Sequence, residues 1–409
     1  MTDTIGVLGP GTGATGLVGR RRRWLRWAAL GGGLLSLVTV GIGLAVYAKL
    51  DGNITPDHDA AAELARYEKE RPTSLVRGAR NILLIGSDSR AGDGNGKYGR
   101  DSGTERSDTT ILLHLAADRR SATGVSLPRD LMVDVPGCRR PDGSRSAPLF
   151  AMFNYAFQQG GSACTIRTVE MLTDIRIDHH MVVDFHGFKD MVDAVDGVEV
   201  CLAEPVDDRE AGLRLPAGKV TLDGEQALGY VRARKSLGNG SDTARMDRQQ
   251  RFLGALVNKV QSNDVLLNPV KLYPVLDAAT SSLTTDPALA SLRGLYELVR
   301  GMRDIPTERV QFLTVPRESY AHNANRDQLV EPDAARLFAR LRADAPVVVS
   351  EEVPVPEEIP VQGDSVAQSS EVRHNYGYEF DGKAAAEHSA APSPVPTFRG
   401  NTAAEDACG

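Results

Sequence analysis

From Ala28 to Ala48 the chain runs for about twenty residues without a charge, AALGGGLLSLVTVGIGLAVYA. A helix rising 1.5 Å per residue would carry that run about 30 Å, the thickness of a bilayer's hydrocarbon core. Arg20, Arg21, Arg22, Arg23 and Arg26 precede it, Trp24 and Trp27 stand at its interface, and Asp51, Asp57 and Asp59 follow. Cytoplasmic flanks carry the excess of Arg and Lys, so the pattern predicts a single-pass protein of the cell membrane with its N-terminus inside and its body outside. On this reading residues 1–27 are a cytoplasmic tail and 28–48 the membrane helix. A cleavable signal peptide ending at Val46-Tyr47-Ala48 is the competing reading, and it exports the body equally.

At 409 residues, 41% hydrophobic and 25% charged, the chain can bury a full core. Its net charge of −7 says little about the body, because 11 acidic and 3 basic residues lie in 346–409 and leave the remainder near neutral. That is compatible with a basic, anion-binding cleft. Four cysteines fit an oxidising compartment. Cys138 and Cys164 are the expected disulfide, with Cys201 the rival partner and Cys408 read as free. Gly11-Thr12-Gly13-Ala14-Thr15-Gly16 matches a dinucleotide fingerprint in letters only, since an arginine run and an apolar span follow where a strand–turn–helix unit is required.

Past the span, residues 49–79 read as a polar spacer with a short helix near 57–69. Short, branched apolar runs then mark strands at 81–86, 109–115 and 123–127, with further strands at 181–185, 198–202 and 309–315. Helices are expected at 149–158, 165–173, 186–195, 223–230, 244–261, 269–279, 287–302 and 332–343. The irregular alternation predicts an α/β fold, an α-β-α layered domain around a central mixed sheet, over 80–345. Residues 346–409, poor in large apolar side chains after Val349, are expected to be a disordered acidic tail rich in Pro, Ser and Ala.

Several strands run directly into arginine islands: Gly86-Ser87-Asp88-Ser89-Arg90, Arg106-Ser107-Asp108, Ser126-Leu127-Pro128-Arg129-Asp130, Tyr230-Val231-Arg232-Ala233-Arg234 and Arg245-Met246-Asp247-Arg248-Gln249-Gln250. One Arg beside one Asp is ordinarily a surface ion pair of little value. Five such islands form a pattern: guanidinium forks gathered with carboxylates at strand ends suit a pyrophosphate and a divalent metal. Asp130 reads as orienting Arg129 or capping a turn, and Asp223 and Glu225 as helix capping. His179 and His180 alternate along a strand, so they point to opposite faces rather than to one metal. Val182, Phe185, Phe188, Met191 and Val192 are either core or the lining of an apolar tunnel.

Taken in order, NILLIGSDSR, ERSDTTILLHL, GVSLPRDLMVDVPG, FNYAFQQGG, IRIDHHMVVDFHGFKDMVDAVDGVEVCL, LDGEQALGYVRAR and DTARMDRQQRFL make the stretch from Asn81 to about Val260 resemble the extracytoplasmic catalytic domain of the LytR-CpsA-Psr family, its actinobacterial members included. The resemblance implies an enzyme that attaches glycopolymers to bacterial peptidoglycan. Such an enzyme is a phosphotransferase, with pyrophosphate cleavage as a companion activity. It implies a polyprenyl pyrophosphate whose tail lies in an apolar tunnel and whose head group meets Arg90, Arg129, Arg232, Arg234, Arg245 and Gln249. By position, Asp88 and Asp108 match the family aspartates at the pyrophosphate and its Mg2+ or Mn2+, and with Arg129 they form the expected catalytic set. Two departures stand out. Met152 occupies a position that is basic in many members, and the insertion Ala91 to Glu105 is longer than in compact ones.

The implied reaction moves a glycopolymer phosphate from its polyprenyl-pyrophosphate carrier to a peptidoglycan hydroxyl and releases polyprenyl phosphate. Its partners are that carrier, peptidoglycan and membrane lipid, with no nucleic acid, since the only basic cytoplasmic cluster is explained by topology. A non-catalytic polyprenyl-phosphate-binding or regulatory membrane protein is the alternative. A fusion reporter placed after Ala79 is expected to be active only outside the cytoplasm, and activity inside would overturn compartment and substrate together.

Overall fold

The computed structural model describes residues 16–87, 107–140, 142–209, 211–233, 242–261, 269–350 and 396–405, with side chains omitted at 16–23, 25, 26, 242, 269 and 270. Asp88, Arg90, the insertion Ala91 to Glu105, Arg234 and Cys408 lie outside these residues. The N-terminal part comprises α1 (Gly16–Asn53), β1 (Thr55–Pro56), α2 (His58–Arg66), β2 (Arg80–Ser87), β3 (Ser107–Leu115), β4 (Ala122–Leu127), β5 (Met132–Val135) and β6 (Leu149–Met152). There follow α3 (Tyr155–Thr173), β7 (His179–Val183), α4 (Phe185–Ala194), β8 (Val198–Leu202), β9 (Val206–Asp208), β10 (Leu213–Leu215), β11 (Gly218–Leu222), α5 (Gly224–Arg232) and α6 (Asp242–Gln261). The remainder is α7 (Pro269–Ser281), β12 (Leu283–Thr285), α8 (Leu292–Met302), β13 (Val310–Thr314), β14 (Arg317–Tyr320), β15 (Asn323–Leu329), α9 (Asp333–Arg342), β16 (Val348–Ser350) and β17 (Thr397–Thr402).

Branched apolar residues on both faces of β2, β3 and β4 force these strands into the middle of the sheet. The described order is β1-β12-β7-β2-β3-β4-β13-β17-β16. β2 runs parallel to β7 and β4 to β13, whereas β3 is antiparallel to both β2 and β4, so the sheet is mixed. Alternation splits the side chains into two layers. Leu83, Ile85, Leu112, Val125 and Leu127 pack under α2, α3 and α9. Ile82, Leu84, Leu113, Leu115 and Met181 pack on the other face with Leu253 and Val257 of α6 and Leu298 and Met302 of α8. The result is the α-β-α layering expected. Ile82, Leu83 and Leu112 are fully buried, and each such side chain contributes about 2 kcal/mol of hydrophobic stabilisation.

Three segments depart from the sequence reading. Residues 49–79 are not a spacer. α1 continues to Asn53, with Leu50 and Ile54 buried, and Asp51 Oδ1 accepts the Leu292 N–H at the start of α8 at 2.8 Å. Lys49 Nζ meets Asp277 Oδ2 at 2.8 Å, β1 pairs with β12, and Ala60 and Leu64 of α2 enter the core. The helix over Trp27–Asn53, whose most apolar 18-residue window has a mean hydropathy of 2.0 and no buried residue, is thereby joined to the domain at its C-terminal end. It is long and apolar enough to cross a membrane.

The second departure is β6, which takes residues 149–152 as a strand paired with β5, Met152 opposite Met132. The helix begins only at Tyr155 and breaks at Gly160 (φ −166°, ψ 32°) and Gly161 (φ 58°, ψ −146°) before continuing. An apolar run of LFAM has no strong preference between the two states, and a partner strand decides it. The third is the C-terminal segment. Thr397–Thr402, expected to be disordered, is a strand between β13 and β16, with Phe398 in the main core. Gly400 is required there, because a Cβ would run into the Phe312 carbonyl.

Removing residues 396–409 is therefore expected to lower the melting temperature of the domain. Phe398→Ala alone should cost roughly 3 kcal/mol, the usual loss for a buried aromatic. Calorimetry showing no change for either variant would mean that β17 does not pack in solution.

Candidate functional site

The register of β3 against β4 builds the first part of the site. Thr110 lies opposite Leu127, so two residues further along each strand Asp108 faces Arg129 across the end of the ladder. Arg129 Nη1 donates to Asp108 Oδ1 at 2.7 Å, and Asp130 Oδ2 lies 3.4 Å from Arg129 Nε. Asp130 also faces Arg326 Nη1 of β15 at 3.5 Å, so it holds the Arg129 turn from behind, the orienting role expected of it. Both partners of the front pair are part-exposed, 21% for Arg129 and 29% for Asp108. They remain available to a ligand.

Helices α5 and α6 bring the other side. A capping box of Asp223 and Gln226 starts α5, while Glu225, also read as capping, pairs with Lys189 at 3.6 Å. The end of α5 is held by α6. Arg248 Nε donates to Tyr230 O at 3.3 Å and its Nη2 to Ala233 O, while Gln249 Nε2 donates to Val231 O at 3.1 Å. These bonds satisfy carbonyls that a helix C-terminus leaves open. Burial pushes the Arg248 guanidinium down and the Tyr230 phenol up from their ordinary values. Arg232, on the last turn of α5, lies with Cζ 4.6 Å from the Phe185 ring centre, a cation over an aromatic face. Arg245 is buried one turn before Gln249 on α6.

These groups surround one cavity of about 460 Å³ whose lining includes Asp108, Arg129, Arg232, Arg245 and Gln249. Its other walls are apolar: Phe185, Phe188 and Met191 of α4, Phe252, Leu253 and Leu256 of α6, Ile111 of β3 and Met181 of β7. The structure separates what the sequence left together. Phe185, Phe188 and Met191 line the cavity, Val182 packs toward the opposite face of the sheet, and Val192 is fully buried in the core around α5 and β8. Three polar wall residues were not anticipated, Ser87 at the end of β2, Thr109 in β3 and Asp184 just past β7. Asp184 accepts the Gly187 N–H at 2.8 Å and so caps α4. Its place directly after a strand was the available signal.

The expected set thus divides. Asp108, Arg129, Arg232, Arg245 and Gln249 are brought together, whereas Asp88, Arg90 and Arg234 lie outside the described residues. Cys138 is bonded to Cys164, with their Cα atoms 5.6 Å apart, and Cys201, the rival partner, is disulfide-bonded too. The histidines pair with separate carboxylates: His179 Nδ1 with Asp286 at 3.2 Å, His180 Nε2 with Asp57 at 3.1 Å and His186 Nε2 with Asp190 at 3.3 Å. Burial raises the Asp57 carboxyl, but the His180 bond and the Ala60 N–H outweigh it and leave it below the ordinary range.

The LytR_cpsA_psr family model matches residues 50–343. The chain is 36% identical over 275 residues to the probable cell wall biosynthesis protein LcpB of Corynebacterium glutamicum, covering 65% of this chain and 61% of that one. It therefore spans about three fifths of that relative's length. It is 33% identical over 255 residues to the polyisoprenyl-teichoic acid–peptidoglycan teichoic acid transferase TagU of Enterococcus faecalis, covering 62% of this chain and 75% of that one. Among solved structures, the LytR-Csp2A-Psr enzyme from Actinomyces oris shares the fold, with a TM-score of 0.52 at 21% identity over 66% of this chain and 93% of that one.

Because Arg248 fastens α6 to the end of α5, Arg248→Ala is expected to strand two buried carbonyls and cost roughly 2 kcal/mol. A melting temperature equal to that of the parent would show that the α5–α6 junction is held by other contacts.

Proposed function

The chain belongs to the LytR-CpsA-Psr family, and from that premise we propose that it transfers a glycopolymer phosphate from a polyprenyl-pyrophosphate carrier to peptidoglycan. The observation that carries the reading is the two-part character of one cavity, apolar along α4 and α6 and ringed at one end by Asp108, Arg129, Arg232, Arg245 and Gln249. An isoprenoid tail matches the first part and a pyrophosphate the second. Neither half of such a ligand would be at home in the other half's surroundings.

In the proposed reaction an acceptor hydroxyl oxygen bonds to the phosphorus that bears the glycan. The bond from that phosphorus to the bridging oxygen breaks, and polyprenyl phosphate leaves with the electron pair. The hydroxyl proton passes to a carboxylate or to solvent. Charge builds on phosphoryl oxygens in such a transition state, so placement and electrostatics supply most of the catalysis. Arg129 is held for this task by Asp108 and Asp130, and Arg232 is held against Phe185. Each is fixed in place before the ligand arrives, so little reorganisation remains at the moment of reaction.

The hard carboxylate oxygens at this mouth suit magnesium or manganese, which take one or two protein carboxylates and complete their shell with phosphate and water. Asp108 would hold the ion, together with Asp88 by its family position, and a bound ion would neutralise charge on the phosphates. Arg90 and Arg234 complete the proposed head-group ring by the same correspondence. α1 would keep the enzyme in the membrane that carries its donor, with the domain on the outer side where the acceptor wall lies.

Arg129→Ala and Asp108→Ala are expected to remain folded and lose turnover by about a hundredfold or more, the usual effect of removing one charged contact to a phosphoryl transition state. Arg293→Ala, on the exposed face of α8 and paired with Glu297, should match the parent. Near-parental turnover in both site variants, with circular dichroism showing native folds, would favour the non-catalytic lipid-binding alternative.

A further inference from the structure

A second and larger recess, about 890 Å³, lies between α2, the loop 139–143, the start of α4 and the turn before β12. It sits on the other face of the central sheet. Val182 lines this groove while Met181 and Val183, its neighbours on β7, line the apolar cavity. The two recesses share Ser87, Asp184 and Leu283. Ser87 and Asp184 stand at the carboxyl ends of β2 and β7, which run parallel, the position where crevices in open α/β sheets receive ligands. Asp108, at the register shift where Ser87 pairs with Ser107 and Gly86 with Thr109, and Arg129, two residues past β4, line the apolar cavity beside Ser87. The ion pair thus belongs to the cavity, and the groove reaches that cavity through Ser87 and Asp184.

The groove is built by fixed parts. The Cys138–Cys164 disulfide ties the loop bearing Arg139 and Arg140 to α3. The break in α3 at Gly160 lets that loop approach, since a Cβ there would lie 2.7 Å from Arg139 O. The lining carries five carboxylates, Asp57, Asp59, Glu63, Asp184 and Asp190, against three guanidiniums, Arg66, Arg139 and Arg140. Glu63 in its wall is 8% exposed, and its Oε1 has no hydrogen-bond partner among the described residues although Oε2 takes Arg66 Nη1 at 3.2 Å. Such a lining, acidic on balance, turns away an anionic polymer while offering many donors and acceptors to hydroxyl groups, so its chemistry fits a polyhydroxylated sugar chain without phosphates.

We propose that this groove seats the acceptor glycan, an inference that rests on the transferase reading. In-line displacement requires the attacking oxygen opposite the leaving oxygen. With the leaving polyprenyl phosphate in the cavity on one face, the attacking hydroxyl arrives from the other face, and the groove opens there. The groove is thus the second substrate site, joined to the first at Ser87 and Asp184.

The test uses the full-length protein in detergent with a lipid-linked oligosaccharide donor and a soluble, unbranched peptidoglycan oligosaccharide as acceptor. Arg139→Ala and Asp190→Ala alter an exposed and a half-buried groove residue, both outside the proposed head-group ring. Three readouts are followed: transfer to the sugar, hydrolysis of the donor by water, and binding of the sugar alone by saturation-transfer NMR. The expected result is an acceptor KM raised at least tenfold and a weakened NMR signal, with hydrolysis and melting temperature unchanged. Transfer and hydrolysis falling together would place the donor's glycan in the groove and overturn the proposal. Unchanged acceptor KM and NMR signal in both variants would overturn it as well. Sugar binding that is lost in the variants of a parent without turnover would keep the groove and reject the transferase reading instead.

Discussion

A sheet buried on both faces leaves only its strand ends for charge. Along β2, β3 and β4 nearly every position is enclosed by helices on one side or the other, and a charge there would cost several kcal/mol unless paired. Asp108, part-exposed near the start of β3, and Arg129, two residues past β4, satisfy each other across the end of the β3–β4 ladder. The site follows from this limit. The Arg129 turn is braced by Asp130 and Arg326, and recesses on the two faces of the sheet meet at the strand ends, Ser87 and Asp184.

The apolar cavity is a core that was not filled. Val192, Tyr230 and Phe252 close one end as an ordinary packed cluster, yet Phe185, Phe188 and Met191 turn their surfaces to open space. A void of this size lined by side chains gives up dispersion contacts along its walls, so it persists only where the surrounding frame is stable without it or a ligand completes it. The frame is visible in the polar ties of α6 to the α5 carbonyls. Arg232 over Phe185 marks the boundary where the wall changes from apolar to charged.

Much of this was legible in the sequence. The branched runs announced β2, β3 and β4, and the islands at their ends announced Asp108 and Arg129, because a strand pattern and a following charge are both local signals. The Cys138–Cys164 bond was legible as an expectation for the same reason. What escaped depends on distant partners. β17 has the composition of a loose tail and becomes ordered by lying between β13 and β16. LFAM becomes a strand because β5 lies beside it, and residues 49–79 become part of the domain because Asp51, Asp57 and Ala60 find α8, His180 and the core. Whether Val182 or Phe185 faced the cavity depended on strand parity and helix placement together, which no single window of sequence contains.

The central claim is that the apolar cavity and the charged mouth bind one ligand, tail in one and head group in the other. Its most direct test is the affinity of the purified protein for a series of polyprenyl pyrophosphates of increasing length, measured by native mass spectrometry in detergent. Burying apolar surface is worth about 0.8 kcal/mol per methylene, so each isoprene unit added inside the cavity should tighten binding about tenfold or more until the cavity is full, and then no further. Inorganic pyrophosphate should compete with the whole series. An affinity independent of chain length, or one that pyrophosphate leaves untouched, would contradict the account.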